Sequence, residues 1–462
     1  MVLMPDTIIA LATPTGRSGI GVIRLSGTGA LTIIQKLIGD ATFDPNPRFA
    51  HLKQLYNPYT GDVIDEALIS YFKTPHSFTG EDVVEISCHG SPVLLRQVID
   101  ISLRLDARMA DPGEFTLRAL ANGRMNLAEA EAIRDLIDAQ TTASARQAIK
   151  QLQGEFSKRL QPLKDDLLNV IVVLESAIEF VEDDLPEMQT DKIKAKLAEI
   201  VEETGKLAAT FQAGRLIREG LRVALVGQPN VGKSSLFNAL LGTDRAIVTE
   251  IAGTTRDQIH ERFIINEIPI SLMDTAGLRE STDMVERIGV ERSRATMADA
   301  DLVIVILDAT ENIGIEDKQI LESVQELNHF IAINKIDIAA EKVEKLSDDL
   351  NSEFCTPHSA LIKISAKTGH GLDDLRNAII RPFAPEDMTN SGFLITNARH
   401  HDLLVRTGQE IEQSLHQLEQ KLSEEIVLIG LHNALRYLGQ ITGETTTEDM
   451  LTQIFATFCI GK

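Results

Sequence analysis

The octapeptide Gly227-Gln228-Pro229-Asn230-Val231-Gly232-Lys233-Ser234 has the glycine, lysine and hydroxyl spacing of a phosphate loop, GxxxxGK[ST]. Glycines let the backbone wrap phosphate oxygens with N–H groups turned inward, and a helix starting behind them adds positive potential. Lys233 would reach the β- and γ-phosphates, and the Ser234 hydroxyl would ligate Mg²⁺. Such a loop needs a strand before it and a helix after it. Arg222–Val226 reads as a short buried strand and Ser235–Leu241 as a helix, so the context is present.

Four further groups follow the loop. Asp274-Thr275-Ala276-Gly277 closes the apolar run Pro269–Met273, where a carboxylate can hold Mg²⁺ through water and the Gly277 amide can sense a γ-phosphate. Upstream, Thr255 in Gly253-Thr254-Thr255-Arg256-Asp257 is the hydroxyl suited to close over the metal. Asn334-Lys335-Ile336-Asp337 ends the strand Phe330–Ile333, and the two oxygens of Asp337 can accept guanine N1–H and N2–H₂, which adenine does not offer. Ser365-Ala366-Lys367 would cover the base. Together these imply a guanine-nucleotide site, with contacts expected from Asn230, Val231, Gly232, Lys233, Ser234, Ser235, Thr255, Asp274, Thr275, Ala276, Gly277, Asn334, Lys335, Asp337, Ser365, Ala366 and Lys367. Ras-type enzymes follow the DxxG element with a water-orienting glutamine, whereas Leu278 stands there in this chain. Hydrolysis must then recruit another polar group. Glu280, Asp283, Glu286, Arg287 and Glu291 are open candidates, as are Arg256, Arg279 and Arg287 for positive charge.

The elements around these motifs change texture along the chain. Residues 1–118 read as mixed α/β, with β-rich runs at Thr7–Ala12, Gly21–Leu25, Leu68–Phe72 and Val83–Ser87 and a helix opening at Pro92. From Leu127 to about Arg215, apolar residues recur at three and four, which predicts long helices. Residues 221 to about 380 return to alternating strands and helices, and 398–458 are helical again. Either the second α/β block is inserted into one helical domain or two helical domains flank it; periodicity leaves both open.

Bulk properties narrow the class. A chain of 462 residues has room for about three domains. The formal net charge of -23 argues against indiscriminate nucleic-acid binding, although the stretch 100–160 is locally neutral. No apolar run approaches membrane-spanning length and no signal or transit peptide is evident, so a cytoplasmic protein is expected. Cys88, Cys355 and Cys459 lie far apart, with neither disulfide nor zinc spacing, and fit a reducing compartment. Gly19-Ile20-Gly21 continues to Arg24 where a dinucleotide fingerprint needs a third glycine, and so reads as a turn and strand. His89, between a strand and a helix, reads as structural. The ending Cys459-Ile460-Gly461-Lys462 is a poor prenylation box.

Other segments carry a resemblance. Thr13-Pro14, Gly19-Ile20-Gly21, Ile23-Arg24-Leu25-Ser26-Gly27, Pro75-His76-Ser77-Phe78-Thr79-Gly80-Glu81-Asp82, Cys88-His89-Gly90, Pro112-Gly113-Glu114-Phe115-Thr116, Ala128-Glu129-Ala130-Glu131-Ala132 and Cys459-Ile460-Gly461-Lys462 join the nucleotide motifs. With them the whole chain resembles the MnmE (TrmE) family of tRNA-modification GTPases.

The resemblance implies a multidomain α/β plus α fold. Its parts are an N-terminal α/β dimerisation and folate-binding domain (1–118), an all-helical central domain (119–215 and 383–462) and an inserted P-loop G domain with a mostly parallel sheet (216–382). It implies a homodimer that works with the flavoprotein MnmG to install an aminomethyl-type group at C5 of the wobble uridine of certain tRNAs. A 5-formyltetrahydrofolate-type cofactor would be held by Arg24, Glu85, Arg124 and Lys462. Hydrolysis would depend on K⁺ held by Asn230, Thr249, Ile251 and Thr254, with Thr249 and Thr254 also beside the nucleotide. Mg²⁺ would sit on Ser234 and Thr255, Glu286 would be the catalytic glutamate, and Cys459 would serve the modification chemistry.

A GTP-switched ribosome-assembly or RNA-chaperone factor would share the nucleotide motifs, but no KH-type GXXG in a basic domain is visible. A self-assembling structural GTPase is a third class. Neither has a use for a folate-type N-terminal block.

Overall fold

The computed structural model describes residues 6–179, 187–242, 261–274, 299–354, 360–383, 392–445 and 447–461. The first part of the chain forms β1 (Thr7–Leu11), β2 (Ile20–Ser26), α1 (Ala30–Ile38), β3 (Ala50–Tyr56), β4 (Val63–Phe72), β5 (Val83–His89), α2 (Pro92–Arg104), β6 (Ala107–Met109) and α3 (Glu114–Ala121). Helices follow: α4 (Leu127–Ile137), α5 (Thr142–Leu152), α6 (Glu155–Glu179), α7 (Glu187–Ala209) and α8 (Phe211–Glu219). The second α/β block runs β7 (Leu221–Val226), α9 (Lys233–Leu241), β8 (Glu261–Ile265), β9 (Ile268–Asp274), β10 (Leu302–Asp308), α10 (Ile315–Ser323), β11 (His329–Asn334), α11 (Ala340–Glu353), β12 (Ala360–Lys363) and α12 (Leu372–Ile380). Helices α13 (Ala398–Glu419), α14 (Glu424–Thr442) and α15 (Glu448–Ala456) complete it. The chain divides into two compact units, one of Met1–Asp138, Ala148–Glu202 and Leu403–Lys462, the other of Ala139–Gln147 and Glu203–Asp402.

In the first unit a sheet is ordered β3-β4-β5-β2-β1-β6, antiparallel except for the parallel pair β1 and β6. Its covered face buries Ile23, Leu25, Ile69 and Ile86 against Ile33, Ile34 and Leu37 of α1 and Leu95, Val98 and Ile101 of α2. The α2 helix begins at Pro92, whose missing N–H costs nothing at a helix start. Helix α4 opens with a capping box: Asn126 accepts from the Glu129 amide, and the Glu129 carboxylate accepts from the Asn126 amide. Helices from distant parts of the sequence share this unit. Buried Lys164 of α6 donates to Thr442 Oγ1 (2.8 Å) at the end of α14 and to Glu444 (2.7 Å), and His432 meets Glu175 at 3.1 Å.

In the second unit the sheet is ordered β12-β11-β10-β7-β9-β8, parallel except for the β8–β9 hairpin. That hairpin turns on Asn266 and Glu267, both at positive φ, as a two-residue loop between twisted strands requires. Strand β10 is apolar up to its last residue, Asp308, and both of its faces are covered. Leu302, Ile304 and Ile306 join one core with α9 and α12, while Val303, Val305 and Leu307 join the other with α10 and α11. The central strand β7 lies between β10 and β9, so the chain winds to either side of it. In such sheets the crevice beyond the strands' carboxyl ends is where ligands bind.

Candidate functional site

The described nucleotide motifs all lie at that carboxyl edge: the phosphate loop after β7, Asp274 ending β9, Asn334 ending β11 and Ser365 just past β12. The loop starts at Gly227 (φ 156) and reaches α9 through Gly232 (φ 100), which caps the helix without a side chain. A Cβ on Gly227 would come within 2.4 Å of the Ile306 carbonyl oxygen, and one on Gly232 within 2.2 Å of Asn334 Nδ2. Both glycines are therefore required by space as well as by dihedral. Asn230 between them is also left-handed (φ 64), a conformation that asparagine tolerates better than most residues. Lys233 Nζ donates to the carbonyls of Gly227 (2.8 Å) and Gln228 (2.7 Å), which places the ammonium inside the loop. Ser234 and Ser235 are exposed in the first helical turn.

Hydrogen bonds join this loop to the segments that follow β11 and β12. Asn334, almost fully buried, donates from Nδ2 to the Val231 carbonyl (2.9 Å) and accepts at Oδ1 from the Ala366 amide (3.0 Å). One side chain thus spans the phosphate loop and the turn after β12. Ser365 donates to Asp337 Oδ1 (2.7 Å), fixing one edge of an otherwise exposed carboxylate. Its own Oγ accepts from the Thr368 amide (3.2 Å). Lys367 is exposed beside it. Lys335, at φ 65, donates to the Asn230 carbonyl (2.8 Å) and pairs with Asp308 at 2.5 Å. Burial would raise the Asp308 pKa, but the bonds from Lys335 and Thr310 outweigh it and hold the carboxyl below its usual range. Asp308 belongs to no motif read from the sequence. Its only signal there is an acid closing an apolar run one strand away from Asn334.

Thr249, Ile251, Thr254, Thr255, Thr275, Ala276, Gly277, Glu286 and Lys462 lie outside the described residues, as do Leu278 and its neighbouring acids and arginines. For Asp274 the backbone alone is described, paired with Leu225.

A second constellation stands on the first sheet. Arg24 of β2 and Glu85 of β5 are register partners, and the Arg24 Nε and Nη2 both donate to Glu85 Oε1, at 2.9 and 2.7 Å. The guanidinium lies 5.5 Å from the Phe78 ring centre and 5.8 Å from that of Phe115. Its Nη1 donates to the Gly461 carbonyl at 3.4 Å. Gly461 has φ 92, and a Cβ there would meet the Leu11 carbonyl oxygen at 2.5 Å, so the turn sits against β1 as only glycine can. The Gly113 amide donates to the Cys459 carbonyl (3.4 Å), and the Cys459 side chain is exposed. Arg124 is exposed, with its aliphatic stem close to Gly80.

A charge network surrounds the buried Arg118. Arg118, 1% exposed, pairs with Asp6, Glu81 and Glu114, and Arg108 also reaches Asp6 and Glu114. Ser26 Oγ donates to Glu81 (2.7 Å) and shares a 2.7 Å bond with Thr79. Glu81 and Glu114 therefore hold the loop and helix bearing Phe78 and Phe115. His89 at the end of β5 bonds Asp65 of β4 twice, through Nδ1 (2.7 Å) and its amide (2.8 Å), which accounts for it structurally. No group of His, Cys, Asp and Glu suited to a metal occurs among the described residues, nor a helix long and apolar enough to cross a membrane.

Comparisons with known proteins bear on both constellations. The family model described as the MnmE helical domain matches residues 127–459, and the model described as the GTP-binding protein TrmE N-terminus matches residues 7–124. A tRNA modification GTPase MnmE of Koribacter versatilis (strain Ellin345) is 45% identical over 462 residues, covering 99% of this chain and 100% of the relative. The tRNA modification GTPase MnmE of Aquifex aeolicus (strain VF5) is 42% identical over 461 residues, with the same coverage. A solved structure of Aquifex aeolicus Era bound to GDP·AlF4⁻ is 32% identical over 41% of this chain and 66% of its own, at a TM-score of 0.29. That likeness is too slight to weigh; the two relatives match almost end to end.

Proposed function

From the chain's membership of the MnmE family of tRNA-modification GTPases, which makes it a GTP hydrolase acting in tRNA modification, we propose a finer reading. The protein is a K⁺-dependent GTPase that acts as a homodimer with MnmG, using a folate one-carbon unit to build an aminomethyl-type group at C5 of the wobble uridine. The domains are 1–118 for dimerisation and folate, 119–215 and 383–462 for the helical body, and 216–382 for the nucleotide.

In the nucleotide site the residues divide the work. The loop amides and Lys233 hold the phosphates, Asp337 accepts from the guanine edge, and Asn334 keeps the two subsites together. Mg²⁺ and K⁺ are hard cations that take oxygen ligands, and the exposed Ser234 hydroxyl and Asn230 amide fit that demand. Mg²⁺ would rest on Ser234 and Thr255, and K⁺ on Asn230, Thr249, Ile251 and Thr254, where a cation stabilises charge on the transferring phosphoryl. Glu286 orients the attacking water in place of the glutamine that Leu278 replaces.

The observation that supports the folate reading is the convergence on Arg24. A guanidinium, a carboxylate, the half-buried Phe78 ring and a backbone carbonyl from residue 461 meet there, with the buried Phe115 ring packed behind the guanidinium. Such a donor set suits a flat heterocycle with N–H groups and an anionic tail. A bound folate supplies the one-carbon unit; the chain's part is to orient it, Glu85 at ring N–H groups and Arg24, Arg124 and Lys462 at polar atoms. Calorimetric titration with 5-formyltetrahydrofolate is the test. Binding by the wild type, lost in Arg24→Met and after removal of residues 459–462, with GTP affinity retained in both, is expected. Undiminished folate binding in both variants, or none in the wild type, would overturn the reading.

A further inference from the structure

Asp308 ends β10 opposite Asn334 of β11 in the parallel register. Its side chain is 7% exposed. One oxygen, Oδ1, accepts from the Thr310 amide (2.9 Å) and the Thr310 hydroxyl (2.7 Å), so a local turn fixes the carboxylate. The other oxygen, Oδ2, accepts from Lys335 Nζ at 2.5 Å. The same ammonium donates to the Asn230 carbonyl at 2.8 Å. A lysine stem is otherwise among the most mobile side chains, so a point anchored twice in this way is informative. The three residues come from the loop after β7, the end of β10 and the loop after β11. Two of them, Asn230 and Lys335, hold left-handed backbone, which is uncommon outside glycine and persists where surroundings determine it.

We propose that Asp308 is a positioning residue for the guanine nucleotide. It holds Lys335 across the carboxyl edge of the sheet, and Lys335 in turn fixes the Asn230 corner of the phosphate loop. The spacing between the phosphate-binding amides and the base-reading Asp337 is thereby set for one nucleotide. Asn334 makes the matching tie at Val231, one residue further along the loop. The rival account is that Asp308 only neutralises a half-buried ammonium and has no effect on ligand residence. The proposal is independent of the K⁺ and folate readings.

The full-length protein carrying Asp308→Asn keeps the shape and removes the charge. Release of a fluorescent GDP should accelerate about tenfold, and KM for GTP should rise by a similar factor with kcat changing by less than about twofold. Lys335→Met should release GDP faster too, and the double variant no faster than the faster single, because both remove one linkage. Wild-type release and KM in a folded Asp308→Asn protein, or effects that multiply in the double variant, would overturn the proposal. Should Asp308→Asn fail to fold, Thr310→Val loosens the carboxylate while keeping its charge, and should speed release about threefold. Wild-type release from that variant would count equally against the proposal.

Discussion

Asp337 has one carboxylate oxygen tied to the Ser365 hydroxyl, which sets the plane of the group without removing its charge. Replacing it by asparagine exchanges one acceptor for a donor facing guanine N1–H. Asp337→Asn should lower GTP affinity about 10- to 100-fold and move preference towards xanthine nucleotides, read by competition against a fluorescent analogue. Unchanged GTP affinity would remove Asp337 from the base subsite. The two described thiols make a second residue-scale contrast. Burial, and then the charge of Asp65, push the Cys88 thiol up to about 12, whereas Cys459 is exposed. Iodoacetamide at mildly alkaline pH should label Cys459 in the native protein and leave Cys88 until unfolding, as peptide mapping would show. Equal labelling of both would mean the first sheet opens readily. At this scale the motif residues were legible because their chemistry is local in sequence. Asp308 was not, because a strand-ending acid gains its meaning only from a lysine just past the end of the neighbouring strand.

The elements of the first unit depend on charges that no helical or strand period reveals. Burial alone would raise the pKa values of Asp6 and Glu114, but hydrogen bonds and charge from Arg108 and Arg118 bring both below the usual carboxylate range. A folded pKa below the unfolded one contributes stability that is present above the unfolded value and lost as pH falls through the folded one. The fold should therefore lose stability below about pH 4, the carboxylate range. Arg118→Met, destabilised by about 3–5 kcal/mol at neutral pH because Glu81 loses its guanidinium partner and Asp6 and Glu114 keep only Arg108, should show a shallower acid dependence. The chain has no tryptophan, so circular dichroism melts are the suitable readout. Parallel acid profiles for the two proteins would deny the network this role. The sequence runs at Thr7, Gly21, Leu68 and Val83 correspond to β1, β2, β4 and β5, each with buried apolar residues. Strands β3 and β6 were not read, the first because as an edge strand it mixes His51, Lys53 and Gln54 with its apolar residues. The second is only three residues long and parallel to a partner about a hundred residues away. Glu81 and Glu114 stood in the family-like motifs without a role; their partner, Arg118, is the largest fully buried side chain among the described residues.

For the molecule as a whole, hydrolysis is expected to depend on more than one copy. If K⁺ at Asn230 supplies transition-state charge and facing nucleotide domains order the catalytic segments, turnover per chain should be fast in K⁺, slow in Na⁺, and rise with protein concentration. Glu286→Ala should reduce kcat by about 10²–10⁴-fold with little change in affinity, the scale of a positioned acid or base. Equal rates in the two salts with no concentration dependence would reopen Arg256, Arg279 and Arg287. In the nucleotide block β7, β9, β11 and β12 were legible from the motifs that end them, whereas β8 and β10, which end in none, were not. How the helices 148–202 and 403–462 share a compact unit was not, because pairings such as Lys164 with Thr442 join segments that periodicity treats as separate. The contact of Arg24 with Gly461 has a consequence for biosynthesis. These residues are 437 positions apart, and the nucleotide block is made between them. At about 5–20 residues per second, the ribosome releases β2 tens of seconds before the turn that completes its surface. A nascent or prematurely terminated chain can thus acquire a guanine-nucleotide site while its Arg24 surface still lacks a wall, and only a chain translated through residue 461 carries both.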